Sequence, residues 1–579
     1  MYSTSTQETS FHGGEALARA LAAEGVEYIF GIPGGEFIQF LEAVDRLGSE
    51  LHMKYIGVRH EQGGTHMADA YARVTGKVGV VAGTLGPGLA NIVPGVCTAF
   101  MDNIPLLVIN PAQDLKFEDH HRLQAGIDQL ALLKAVVKYQ KHVVDPNRIV
   151  WATQKCFKEL YSGRQRPVHL EIREDAFAAQ VEDYGRRILP PSQYRAILPP
   201  AGHPELIQQA VKILQTATKP LLISGGGVTA AQGWDILRTL AEEYNIPAMS
   251  TVMGIGTLST NHPTFIGSSM NNGAVMQAAR EADVVLAFGT KFSYTIAYGK
   301  PPVWNPDAKL IQIDIDPQMI GKNRPVELGI LGDCKVVAEQ LYHALKAVRN
   351  DPFPTAEWLA QLKKNRQESI DIDKSKMTSD KQPIHPLRLI SDLTDFMDYE
   401  DILCVDGGDI AVMTIGSVDY RKPRAPRTVL YPISFGHLGT GVPYAIGAKC
   451  AKPQARVFMI TGDGSFLFNI QELDTAVRYN IPFVGIVADN CSWGMIANNE
   501  KARFGKQRGN FCVDIPGTDY VGIAKGFGCY AEKVDDPTQI KPALQRAVDA
   551  KKPAILVVPI KMVAPEGTKI MASFRQLKF

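Results

Sequence analysis

Nowhere in the 579 residues is there an unbroken apolar run of about eighteen, the length that spans a bilayer, so no membrane span is expected. Charge of either sign is not in surplus: 61 Lys and Arg stand against 60 Asp and Glu. That balance gives no global attraction to nucleic acid or a lipid surface, and leaves any anion site to a local cluster. The eight cysteines, Cys97, Cys156, Cys334, Cys404, Cys450, Cys491, Cys512 and Cys529, include no CxxC pair. Their scatter argues against zinc, iron–sulfur clusters and a disulfide framework, and reduced, mostly buried thiols are expected. The opening MYSTSTQETSFHGG has neither a basic n-region nor an apolar h-region, so the expected compartment is the cytoplasm. What remains is ordinary: 45% hydrophobic and 21% charged residues describe a globular chain, one long enough for about three domains.

Short apolar runs alternate with helical patterns. EYIFGI, VGVVAGT, PLLVIN, KPLLISG, DVVLAFG, KLIQIDID, DILCVD, RVFMITGD and FVGIVADN read as buried parallel strands, which places the chain in the α/β class. Two stretches interrupt the alternation: the proline-rich RRILPPSQYRAILPPAGHP (186–204) and the highly charged NDPFPTAEWLAQLKKNRQESIDIDKSKMTSDKQPIHP (350–386). Read as linkers, they leave three doubly wound domains with parallel sheets at 1–190, 200–348 and 385–560, and a basic tail at 561–579.

The stretch GDGSFLFNIQELDTAVRYNIPFVGIVADN (462–490) carries the sharpest chemistry. Its first glycines permit close backbone approach at a strand end, and Asp463 is expected exposed at that tip. SFLFNIQELDTAVRYN is expected to form one helix that returns the chain and sets Asn490, at the next strand end, beside Asp463. Carboxylate, amide, backbone carbonyl and phosphate oxygens are what Mg²⁺ takes, so Asp463, Asn490 and Ser492 are candidate metal ligands for a magnesium diphosphate. For an isolated GDG, an aspartate capping a helix is the plainer reading.

The spacing tells against that plainer reading. GDG, twenty-four residues, Asp489–Asn490 and then Gly494 resemble the diphosphate-binding motif of thiamine-diphosphate enzymes, which normally ends in Asn-Asn; Asp489 departs at the first of these. GVRHEQGGTHMADAYARVTGKVGVV (57–81) resembles the family's RHE-x-x-A-x-x-MAxGYAR pattern. The resemblance implies that Glu61 hydrogen-bonds the cofactor's aminopyrimidine ring and promotes the tautomer that removes the C2 proton. TLGPGLAN (84–91), MDNIPLLVINPAQ (101–113) and FGIPGGEF (30–37) resemble the family as well.

Further roles follow from the same resemblance. Gly34 and Gly35 lie by the cofactor, and Glu36 is a candidate proton donor or acceptor. Gln124, in LQAGIDQ, matches the glutamine of a Phe-Gln-Glu segment, with Leu123 and Ala125 in place of its neighbours. In SFGHLGTGVPYAIGAK (434–449), Gly436 offers the carbonyl for the cofactor's amino group and Leu438 is the apolar wedge beneath the thiazolium. Gly407, Gly408 and Asp409 line the diphosphate, and Gly462, Gly464, Ser465, Trp493 and Gly494 complete the cofactor set. The implied domains are aminopyrimidine-binding, central and diphosphate-binding. The implied assembly is a homodimer or homotetramer with shared active sites, Glu61 and Asp463 coming from different chains.

The middle segment resembles two branches of the family. STVMGIGTLSTNHPTFIGSSMNNGA and IDIDPQMIGKN resemble acetolactate synthases. GTKFSYTIAYGKPPVWNPDAKLIQIDIDP (289–317) lacks their flavin-contacting arginine and resembles 2-hydroxyacyl-coenzyme A lyases and oxalyl-coenzyme A decarboxylases. An adenine nucleotide, ADP or FAD, near Asp314 and Asp316 is thereby implied, against the plainer reading that these acids cap a strand end. Coenzyme A phosphates need clustered cations. DYRKPRAPR (419–427) offers Arg421, Lys422, Arg424 and Arg427; NEKARFGKQR (499–508) offers Lys501, Arg503, Lys506 and Arg508. Of these, Arg424, Arg427, Lys501 and Arg503 are the candidate substrate residues, and the tail, with Lys569, Arg575 and Lys578, is a candidate lid. The expectation adopted is a thiamine-diphosphate- and Mg²⁺-dependent 2-hydroxyacyl-coenzyme A lyase, releasing an aldehyde or ketone and formyl-coenzyme A. The alternative is an acetolactate synthase-like 2-oxo acid decarboxylase and carboligase. A remoter one, a non-catalytic cofactor-binding regulatory subunit, is opposed by the retention of Glu61, Asp463 and Asn490. The expected partner is a small molecule, an acyl-coenzyme A in the first reading, and neither nucleic acid nor membrane.

Overall fold

The computed structural model describes residues 11–565 apart from 121, 269, 271 and 506–510. Lys506, Arg508 and the tail cations Lys569, Arg575 and Lys578 therefore lie outside the described residues. Among the described residues no helix is long and apolar enough to cross a membrane. Among the described residues eighteen strands form three six-stranded parallel sheets with helices between the strands, so the expected α/β class with three doubly wound parallel sheets holds. The chain divides into two compact units.

The first unit takes the chain up to Ile197, with Ser434–Pro453 and Asn469–Ile481. Its strands are β1 (Tyr28–Gly31), β2 (Lys54–Gly57), β3 (Gly79–Ala82), β4 (Leu106–Ala112), β5 (Tyr139–Val143) and β6 (Val168–Arg173), in the order β2-β1-β3-β4-β6-β5. Ile29, Val80, Leu107, Ile109 and Leu170 project from the strands onto Phe40 and Phe157 of the covering helices. Winding changes direction between β1 and β3, and ligands of open α/β sheets lie beyond the strand ends at such a point. Helix Glu61–Thr75 starts just after β2. The His60 ring caps it, accepting from Gln62 N at 3.2 Å, and Gly76 ends it at φ 74°, a conformation that suits glycine. The helix is buried almost throughout because helix Gly441–Ala451 lies hard against it. A Cβ on Gly447 would stand 2.2 Å from Met67 O.

The second unit comprises Leu198–Ile433, Gln454–Phe468 and the chain from Pro482. One of its sheets holds β7 (Pro220–Ser224), β8 (Ala248–Ser250), β9 (Phe265–Gly267), β10 (Val284–Phe288), β11 (Lys309–Asp314) and β12 (Leu328–Leu331), in the order β12-β11-β10-β7-β8-β9. This is the 3-2-1-4-5-6 order of dinucleotide-binding sheets. The other holds β13 (Ile402–Val405), β14 (Val429–Leu430), β15 (Val457–Gly462), β16 (Val484–Asp489), β17 (Tyr530–Lys533) and β18 (Ala554–Pro559). Its order, β14-β13-β15-β16-β18-β17, repeats that of the first unit and puts the switch between β13 and β15.

Two local expectations change. The charged stretch 350–386 contains a 22-residue helix, Ala356–Met377, that buries only Trp358, Leu359, Leu362 and Met377. The stretch after Asp463 is not one helix but three pieces: Asp463–Phe466, a 3-10 turn at Leu467–Asn469, and Glu472–Arg478. The Asn469 amide donates to Gly439 O at 2.8 Å instead of facing outward. What sets Asp463 beside Asn490 is strand pairing, Gly462 standing opposite Ala488.

Candidate functional site

In the first unit, candidates gather at the ends of β1, β2 and β3. Glu61, 4% exposed, is the first residue of its helix, and its Oε2 accepts from Asn91 Nδ2 at 3.0 Å. Asn91 sits on the helix opened by Pro87, and Gly88 of that helix leaves room for the carboxylate: a Cβ there would lie 3.3 Å from Glu61 Oε1. Glu36 accepts from the Thr84 hydroxyl, so the acid after Gly34–Gly35 is tied to the loop after β3. Gly34 is required there, because a Cβ would meet Thr84 at 2.8 Å. Gln124 has φ 67°, and its backbone carbonyl presses on Gly86, itself at φ 68°. Gly86 N is held by Gln129 Oε1 at 2.8 Å, and Gln129 Nε2 reaches the buried Glu171 at 2.9 Å. Gly436 is exposed at φ 67°, and Leu438 is half-buried beside His437, whose ring lies 5.0 Å from that of His66.

In the second unit, the candidates stand at the switch between β13 and β15. Asp406, 1% exposed, joins the two tips, accepting from Gly407 N at 2.7 Å and from the Thr461 hydroxyl at 3.0 Å. Gly407, at φ 104°, brings the turn so close to Gly462 that a Cβ would lie 3.0 Å from Gly462 N. Gly408 then leads into helix Asp409–Ser417. Asp409 is buried, its Oδ2 accepting from Asn498 Nδ2 at 2.7 Å while Oδ1 has no partner. Burial pushes its carboxyl up to about 6.

Asp463 is 3% exposed, not at an open tip as expected, because Gly462 starts a helical turn that folds it inward. Its Oδ1 accepts from Gly464 N at 2.9 Å and its Oδ2 from Ser492 N at 3.1 Å. Burial, and the Asp489 carboxylate from the next strand, push it up to about 6. Asn490 Oδ1 accepts from the same Ser492 N at 3.0 Å. The Ser492 hydroxyl is turned to Val513 O at 3.1 Å, and its backbone carbonyl accepts from Gly494 N at 2.7 Å with a second lone pair left for a cation. Trp493 lies over Gly464, whose Cβ would stand 2.7 Å from the indole, and a Cβ on Gly494 would stand 2.7 Å from Asn490 Nδ2. Ser465 is buried on the turn with Asp463. One carboxylate, one amide oxygen and one backbone carbonyl at paired strand ends can hold a divalent cation whose other ligands are phosphate oxygens and water. Among the described residues no cluster of three or more His, Cys, Asp or Glu offers an all-protein cage.

The cation clusters are used differently. Arg424 is 1% exposed, with its guanidinium on Asp398 O at 3.1 Å and on Thr394 O. Arg427 donates to Thr229 O at 2.8 Å. Arg421 pairs with Asp395 at 2.9 Å, and Lys422 reaches the carbonyls of Asp395 and Met397. Arg503 is exposed and Lys501 half-buried on helix Gly494–Phe504. In the dinucleotide-order sheet, Asp314 accepts from Asp316 N and Asp316 from Gln318 N, each at 3.0 Å, so both acids cap turns. Asn91, Gln129 and Glu472 are functional candidates that sequence reasoning missed. Asn91 ends TLGPGLAN, and nothing in its spacing marks contact with Glu61.

Family models for thiamine pyrophosphate enzymes match three stretches: the N-terminal TPP binding domain at 11–132, the central domain at 207–341 and the C-terminal TPP binding domain at 409–558. The chain is 33% identical to a probable acetolactate synthase large subunit of Methanococcus aeolicus, over 96% of this chain and 94% of that protein. It is 32% identical to the acetolactate synthase large subunit of Corynebacterium glutamicum, over 92% and 84%. To a sulfoacetaldehyde acetyltransferase of Alcaligenes xylosoxydans xylosoxydans it is 31% identical, over 92% and 90%. Similarity of this extent, along nearly the full length, makes the chain a member of the thiamine pyrophosphate enzyme family, an enzyme of the lyase and carboligase type.

Proposed function

We propose that the chain is a Mg²⁺-dependent 2-oxo acid decarboxylase and carboligase of the acetolactate synthase kind, acting as a homodimer or homotetramer. The observation that carries this over the 2-hydroxyacyl-coenzyme A lyase reading is the similarity along nearly the full chain to proteins named acetolactate synthase. A second consideration is physical. The lyase reading looked to Arg424, Arg427, Lys501 and Arg503 for coenzyme A phosphates, and the first two guanidiniums are committed to backbone carbonyls.

Thiamine diphosphate, when bound, supplies a carbon nucleophile for a carbonyl and an electron sink for cleavage of the adjacent bond. Asp463, Asn490 and the Ser492 carbonyl would hold Mg²⁺ for the diphosphate, with Gly407, Gly408 and Gly494 permitting close backbone approach. Glu61, oriented by Asn91, would hold and return a proton for the cofactor's aminopyrimidine ring, and Glu36 would be a second acid for proton transfer. Leu438 would support the thiazolium, and Trp493 would shape the acyl site. The dinucleotide-order sheet is proposed to take ADP or FAD.

A paired assay tests the reading: pyruvate with Mg²⁺ and thiamine diphosphate is expected to give acetolactate, and a short 2-hydroxyacyl-coenzyme A to give no formyl-coenzyme A. Thioester cleavage without reaction of pyruvate would restore the lyase reading. Flavin absorbance, or ADP released on denaturation, decides the nucleotide.

A further inference from the structure

The two peptide N–H groups just ahead of Glu61 point at a side chain about four hundred residues away in sequence. Glu472, 0% exposed, accepts with Oε1 from Arg59 N at 3.2 Å and from His60 N at 3.0 Å. Its Oε2 accepts from the Thr475 hydroxyl at 2.7 Å and lies 3.3 Å from Arg59 N. These donors sit at and just before the helix cap, where no carbonyl of the helix can reach them. One carboxylate across two successive amides fixes the direction in which the chain turns into the helix. Gly63 admits it: a Cβ there would stand 2.6 Å from Glu472 Oε1.

The same strip is fastened at other points. Gly57 N donates to the Tyr479 hydroxyl at 2.8 Å and Gly57 O accepts from Arg478 at 2.7 Å. Asp474 takes Arg59 Nε and Arg478 Nε, each at 2.6 Å. Packing alone would be served more cheaply by an apolar side chain, since burying a carboxylate is costly unless its hydrogen bonds are needed. Burial pushes Glu472 up to about 7. Glu61 is one residue beyond the anchored amides, and its own carboxylate is held by Asn91.

We propose that Glu472 is the positioning residue of Glu61, holding the Arg59–His60 backbone so that the Glu61 carboxylate meets Asn91 and the cofactor ring in one orientation. The proposal rests on the reading that Glu61 handles the cofactor's proton.

The test uses the full-length protein with Mg²⁺ and thiamine diphosphate bound, following amide hydrogen exchange across residues 57–62 together with kcat and KM. In Glu472→Ala and in Gly63→Ala, exchange at Arg59 and His60 is expected to speed up. A displacement of the order of 1 Å costs about a hundredfold, so kcat should fall about ten- to a hundredfold with little change in KM. Gly63→Ala keeps Glu472 and swaps in a better helix former, so its damage would be the anchor's and would survive a failure of Glu472→Ala to fold. Glu472→Gln should retain most of kcat and the protection, because its amide oxygen replaces Oε1, which takes both Arg59 N and His60 N, while its NH₂ faces the rotatable Thr475 hydroxyl and gives up only the longer contact to Arg59 N. Unchanged exchange in both alanine variants overturns the proposal, as does lost protection with kcat intact, or a Glu472→Gln as damaged as Glu472→Ala. Glu61→Gln separates the two ideas. Wild-type turnover there removes the role given to Glu61, while the exchange data still report whether Glu472 anchors the strip.

Discussion

Asn91 Nδ2 donates to Glu61 Oε2 at 3.0 Å, so one helix of the first unit orients the side chain that opens another. Removing the amide leaves a buried carboxylate oxygen unpaired, which costs about 1–3 kcal/mol. Asn91→Ala is expected to lower kcat about tenfold or more. In a Glu61→Gln background the same change should cost little further, because both act through one contact. Steady-state kinetics of the two single variants and the double variant check this, and fully additive losses would separate the two residues.

Asp463 gives a prediction with a definite sign. In the cofactor-free protein its carboxyl is raised from 3.8 to about 6, first by burial and then by Asp489. Its contribution to stability is therefore present below 3.8 and lost as pH rises through about 6. Metal binding requires the ionised form, so protons compete with Mg²⁺ below about pH 6. Affinity for magnesium thiamine diphosphate should fall up to about tenfold per pH unit there. Quenching of Trp493, which lies over Gly464, is a direct readout. Asp463→Ala should lose Mg²⁺-dependent binding at every pH; a wild-type Kd equal at about pH 5 and about pH 8 contradicts the assignment.

The strands legible in the sequence are all interior ones. YIFG, LLVINPA, VVLAF, VFMITG and VGIVAD are buried on both faces, and continuous apolar runs follow from that. All six edge strands escape: KYIG, YQKHV and YAEK mix charge with apolar residues because one side meets water. β6, VHLEIR, escapes for another reason. It is wholly buried, but His169 is paired with Asn110, and Glu171 with Gln129 and His142, so its letters read as amphipathic. AILVVP of β18 is as apolar as its neighbours, and nothing physical explains its omission. In the site, Asp463 and Asn490 were legible because adjacent parallel strands and their connector impose a spacing. Glu472 was not, since no local pattern encodes a contact with Arg59 across 413 residues.

Asp409 is an acid with one buried, unpartnered oxygen where an anion is proposed to bind. Burial raises it from 3.8 to about 6, so its stabilising contribution is lost as pH rises through about 6. That preference for the protonated form is worth about 3 kcal/mol at high pH. Asp409→Asn removes the charge but leaves an orphan N–H₂ that returns about 1–3 kcal/mol. The variant is expected to melt slightly higher than wild type at about pH 8 and to bind thiamine diphosphate at least as well, the advantage fading towards about pH 5. A loss of both at high pH would show that the ionised acid is needed.

Arg73 is the clearest stability prediction. Its guanidinium reaches Asp69 at 2.7 Å and Asp102 at 3.0 Å, and all three are buried. The Tyr444 hydroxyl donates to Asp69 at 2.8 Å and Ser434 N to Asp102 at 3.1 Å, so the network ties helix Glu61–Thr75 to helix Gly441–Ala451. Even with Arg73 in place, burial raises the Asp69 carboxyl. Arg73→Met leaves two buried carboxylates without their cation and is expected to cost about 3–5 kcal/mol. Protonating them relieves that cost, so the deficit in denaturant unfolding should shrink as pH falls. Asp69→Asn in the Arg73→Met background should recover part of it, because the uncompensated charge, more than the lost contacts, is the penalty. A deficit independent of pH and not relieved by the second substitution would place the cost in packing over Tyr444, whose ring centroid lies 5.5 Å from the guanidinium.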